Sequence, residues 1–200
     1  YVEHSLAPAP EREALSDRLL TAWSELLSSD SKELSLDAWS AFSKVSGGML
    51  VTASQYHQVL QMWHSWAERA ADPEAKQKLA VCGTRILLAF SPDSAADPAV
   101  RQLADQLAAC WIELLSLDEA LNQESQSAFV ALWTSPFLTQ AQSSQMDQAL
   151  AGWLQRIEQP DSELLEQWYA VLSPAGAVGQ NSLSFRQLIG AFIRWLDSRS

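Results

Sequence analysis

Apolar residues recur along this chain three and four apart, and no segment alternates as a sheet strand would. The clearest case runs from about Ser54 to Ala71, where Tyr56, Val59, Leu60, Trp63, Trp66, Ala67 and Ala70 keep helical spacing. Pro10 opens an earlier helix through about Ser28, with Leu15, Leu19, Ala22, Trp23 and Leu26 on one stripe of the kind that ordinarily faces a core. Ser35 stands as the N-cap of a second helix through Ser46, and Gly47-Gly48 as its stop. Asp72-Pro73 and Asp97-Pro98 each join a capping acid to a first-turn proline, which predicts helices over 73–90 and 98–116. Further helices are predicted at 123–134, 140–158, 162–173 and 183–198, broken by Pro136, Pro160 and the glycine-containing "SPAGAVGQ". The expectation is an all-α chain of about nine helices.

"SPDSAAD" is the most linker-like stretch, and it divides the chain into an extended or disordered N-terminus (1–9), a first helical half (10–92) and a second (97–200). The two halves are expected to pack as one compact body. They also repeat: "AWSELLS" at 22–28 matches "CWIELLS" at 110–116, and "SAF" at 40–42 returns at 127–129. "QVL" with Trp63 returns as "QAL" with Trp153. These ordered matches point to duplication, with small insertions in turns.

A hydrophobic content of 48% in 200 residues is enough for a sizeable core, and nine tryptophans spread from Trp23 to Trp195 are expected to anchor it. The formal net charge is -11, and neither half carries a basic cluster. Nucleic acid and anionic membrane surfaces are therefore disfavoured as partners. The longest apolar runs, such as "ILLAF", fall well short of the ~20 residues that span a bilayer. No secretory signal is visible, and Cys82 and Cys110 sit in apolar helical patterns, as buried free thiols do. The cytoplasm is the expected compartment.

Helix, short loop, "LSLDAW" and helix, then a second helical pair, resembles the sarcoplasmic calcium-binding and aequorin-like branch of the EF-hand family. "LLEQWYAVL" followed by a loop and "SLSFRQLIGAFIRWL" is similar to that family's final hand. The resemblance implies paired hands forming two facing lobes. An EF-hand loop needs oxygen ligands at its first, third and fifth positions, a turn glycine at the sixth and a bidentate Glu at the twelfth. With Leu34 at the apolar eighth position, the ligand positions fall on Leu27, Ser29, Ser31 and Ala38, with Lys32 at the turn. With Leu121 there, they fall on Leu114, Ser116, Asp118 and Ser125; with Leu183, the twelfth is Gln187. Calcium is not expected, and the lobes are read as degenerate hands. The same opening stretch also reads simply as a capped helix start, with Ser35 at the cap and Trp39 and Phe42 facing the core.

Chemistry is sparse. His57 and His64 are seven residues apart on one helix, ~10 Å along its axis, too far for a shared metal. No Gly-x-Ser-x-Gly, no phosphate-cradling glycine loop and no cysteine near a histidine in sequence is present. No catalytic residue, metal site or cofactor is expected. The most unusual cluster is "QYHQVLQMWHSW", and the candidate ligand-contacting residues are Tyr56, His57, Met62, Trp63, His64 and Trp66, joined by Trp153 and Trp168. In the photoprotein members of the resembled family such aromatic and histidine side chains line a cavity, whereas core packing alone also accounts for the spacing of Tyr56, Trp63 and Trp66. The expected function is a non-catalytic, calcium-independent protein that offers an apolar groove to a protein partner's amphipathic helix. The alternative is a carrier of a small apolar molecule, or a cofactor-free enzyme acting on one, enclosed between the lobes.

Overall fold

The computed structural model describes residues 9–27, 32–49, 52–69, 72–117 and 121–156, with 165, 166, 168, 169, 186, 189, 190 and 193 beyond them. Among these residues the chain is all helical: α1 (Ala9–Leu27), α2 (Lys32–Met49), α3 (Ala53–Arg69), α4 (Pro73–Leu88), a 3-10 turn (Pro92–Ala96), α5 (Pro98–Ser116), α6 (Gln123–Trp133) and α7 (Gln140–Arg156). The helices expected at 162–173 and 183–198 lie largely outside the described residues. The chain divides into two compact units, Tyr1–Phe90 and Ser91–Ser200.

The proline starts form as their chemistry requires. Asp72 takes an extended backbone and accepts from the Ala75 N–H at 2.8 Å, while Pro73 occupies the first turn, where no intrahelical donor is needed. Asp97 does the same for α5, accepting from Ala99 and Val100. Its neighbour "SPDSAAD" is ordered: Ser91 caps the 3-10 turn that leads into α5.

The second helix differs from expectation at both ends. It begins at Lys32, so Leu34, Ser35 and Leu36 all lie inside it and Ser35 is not its N-cap. Lys, Glu and Leu are strong helix formers, and the run Lys32-Glu33-Leu34 carries the helix upstream of the serine. Gly47 and Gly48 do not stop it either, since α2 runs to Met49 and no described glycine adopts the left-handed conformation a glycine cap uses.

In the first unit each of the four helices packs on two others: α1 on α2 and α3, and α4 on α2 and α3. An unbroken run from Leu79 to Thr84 of α4 is buried. The Trp63 indole N–H donates to the Leu79 carbonyl at 3.0 Å and ties α3 to α4. Trp39 and Phe42 of α2 are fully buried, and Trp23 of α1 meets Phe42 edge-on, with centroids 5.7 Å apart.

In the second unit α5 packs on α7 and more lightly on α6. Its core is a chain of aromatic rings: Trp111 meets Phe129 edge-on at 6.0 Å, and Phe129 also touches Trp133 and Trp168. Arg156, in the last turn of α7, donates to the Leu115 carbonyl at 2.6 Å, which satisfies an acceptor at the end of α5.

Candidate functional site

The eight candidate residues separate into two groups, one per unit. On α3, Trp63 and Trp66 are core residues. Tyr56 is half-buried against Phe90, with centroids 4.3 Å apart, and burial pushes its phenol above the ordinary value. Met62 is half-buried and His57 is exposed. His64 reaches Glu68 one turn on, 3.1 Å away, on the outer side of the helix. In the second unit Trp153 and Trp168 are buried together, with centroids 5.8 Å apart. Of the eight, Trp63, Trp66, Trp153 and Trp168 belong to the core, and among the described residues no group of three or more His, Cys, Asp or Glu is placed to hold a metal ion. Cys82 is buried as expected, whereas Cys110 is only half-buried; neither is in a disulfide.

The surface feature that stands out lies on α1. Its stripe of Leu15, Leu19, Ala22 and Leu26 does not face the core. Leu15, Leu19 and Leu26 are 56%, 41% and 42% exposed, and Ala22 is exposed too, while Ser16 and Leu20 on an adjoining face are buried. A polar clamp joins the adjoining face to α3. Thr52 and Gln55 form a capping box at the start of α3: the Thr52 hydroxyl accepts from the Gln55 backbone N–H, and the Gln55 side-chain oxygen accepts from the Thr52 N–H. That same oxygen accepts from the Ser16 hydroxyl at 3.0 Å, and the Gln55 amide nitrogen donates to the Asp17 carboxylate. A buried glutamine needs these partners, so Ser16 and Asp17 turn toward α3.

The second unit repeats the device. Thr139 and Gln142 form a capping box on α7, and the Gln142 amide donates to Asp105 of α5 at 2.6 Å. The pairs Thr52/Thr139 and Gln55/Gln142 stand 87 apart and Asp17/Asp105 stands 88 apart, as do Trp23/Trp111, whose edge-on contacts are to Phe42 and Phe129. The structure thus aligns α3 with α7 so that Trp66, rather than Trp63, corresponds to Trp153. Burial follows this register: Val59 and Met146, Trp63 and Leu150, Trp66 and Trp153 are all buried.

On that register the exposed α1 face has a buried counterpart. Leu103, Leu107 and Leu114 of α5 correspond to Leu15, Leu19 and Leu26, and they are 3%, 0% and 4% exposed. The corresponding face is thus covered on α5 and open to solvent on α1. The sequence carried the stripe, but the same stripe and the same clamp accompany a buried face on α5, so neither decides whether the face is covered.

Compared with known proteins, the chain matches no family model, no curated protein and no solved structure. Among the described residues no helix is long and apolar enough to cross a membrane.

Proposed function

We propose that the chain is a non-catalytic binding protein that offers an apolar helical surface, the Leu15-Leu19-Ala22-Leu26 face of α1, to an amphipathic helix of a protein partner. One observation carries the reading: three large aliphatic side chains at heptad-like spacing stand open on α1, while their counterparts on α5 are buried. Exposed leucines scattered singly need no explanation, whereas a contiguous row on one helix face is the pattern that helix-in-groove and coiled-coil partners read. From the EF-hand resemblance the proposal keeps only an apolar surface that receives a helix without calcium.

Native mass spectrometry of the chain purified from its own host tests this, comparing the wild type with a Leu19→Glu/Leu26→Glu variant. Both positions are exposed, so the variant is expected to keep its fold, with far-ultraviolet circular dichroism as the check. A bound polypeptide present on the wild type and missing from the variant is expected. A stoichiometric extra mass of a few hundred daltons kept by both would overturn the proposal in favour of the carrier reading.

A further inference from the structure

The α1 face has a symmetry that narrows the choice of partner. Its spacing of four, three and four places Leu15 and Ala22 at d positions and Leu19 and Leu26 at a positions of a short heptad frame. The g positions, which flank the seam, are then Glu11, Arg18 and Glu25, all exposed. Charge alternates along that flank. On α5 the residues corresponding to Arg18 and Glu25 are Gln106 and Glu113, so the alternation is absent where the face is covered.

We propose that the partner is a second copy of this chain, with the two α1 helices packed antiparallel about a two-fold axis; this rests on α1 being the working surface. In an antiparallel pair each a position faces a d position of the other helix, and g positions face g positions. Centring the axis between Leu20 and Thr21 sets Leu15 against Leu26 of the second copy and Leu19 against its Ala22. The same register brings Arg18 of each copy to Glu25 of the other, twice by symmetry. A parallel pairing sets g against e, which gives Arg18 the Trp23 of the second copy and no countercharge. An isologous contact of this kind requires a self-complementary patch, and this one is self-complementary in both shape and charge. The seam covers about 16 Å of helix at 1.5 Å per residue. So short a contact belongs to the weak interfaces, with dissociation expected at about 10–100 μM.

Sedimentation velocity of the full recombinant chain from about 1 to about 500 μM reads this directly. The wild type should pass from monomer to dimer across the range. Leu19→Glu should remain monomeric throughout, with unchanged far-ultraviolet circular dichroism. Arg18→Glu or Glu25→Arg alone should weaken the dimer at least about fivefold, and the charge-swapped Arg18→Glu/Glu25→Arg chain should recover to within about threefold of the wild type. A wild type that stays monomeric overturns self-pairing, and co-purification from the host then decides the broader binding reading separately. A dimer that survives Leu19→Glu, or single charge reversals without effect, overturns the proposed seam.

Discussion

Gln55 ties α1 to the start of α3. It is buried, it closes the α3 capping box, and it holds Ser16 and Asp17 from a sequence distance of 39 and 38 residues. Replacing it with Glu leaves the hydrogen bonds from Ser16 and Thr52 possible but sets a carboxylate against that of Asp17. Like charges raise the pKa of the new acid in the folded state above its unfolded value, so folding takes up a proton and the penalty grows as pH rises. We expect Gln55→Glu to cost about 2 kcal/mol at pH 7 relative to wild type, the deficit shrinking as pH falls below about 5, read from urea midpoints. Gln142→Glu faces Asp105 in a more exposed setting and should cost under about 1 kcal/mol. A second contrast involves two buried indoles. The Trp63 N–H has the Leu79 carbonyl, whereas the Trp39 N–H has no hydrogen-bond partner among the described residues. Replacing either with Phe loses similar volume, but only Trp63→Phe breaks a bond, so it should be the more costly by about 1 kcal/mol.

At the scale of the helix, what could be read from the sequence depended on how local its cause was. Asp72-Pro73 and Asp97-Pro98 fix helix starts through contacts two or three residues away, and both were legible as they stand. The start of α2 was misjudged because Ser35 competes with three good helix formers just upstream, and propensity prevailed over the cap signal. The facing of α1 was not legible from its own residues. Its apolar stripe suggests burial, yet the same stripe held by the same clamp is buried on α5 and exposed on α1, so burial depends on what else packs against the face. The candidate aromatic residues were legible as core and no more: Trp63, Trp66, Trp153 and Trp168 are buried, while His57 is exposed. The correspondence between α1 and α5 turns the α1 reading into a paired measurement. Leu19→Ala removes an exposed side chain and should shift stability by less than about 0.5 kcal/mol, whereas Leu107→Ala at the corresponding position opens a cavity in a filled core and should cost about 3 kcal/mol. Equal costs in the two units would refute the assigned exposure of α1.

For the molecule as a whole, the question is whether each unit carries its own core. The repeated capping boxes, the repeated Asp clamp and the repeated edge-on Trp-Phe contact all close within one unit. An arrangement present in both halves and satisfied within each is what two self-sufficient units require. A stretch of about 90 residues lies near the small end of what folds unaided, so the buried aromatics decide the outcome. In the first unit Trp39, Phe42 and Trp63 are almost wholly buried. Residues 1–90 expressed alone should therefore unfold in one cooperative urea transition, with tryptophan emission shifted to the blue before it and near-ultraviolet dichroism that vanishes with it. Helical signal without the near-ultraviolet bands would mean a molten core, and would show that the first unit draws its packing from elsewhere in the chain.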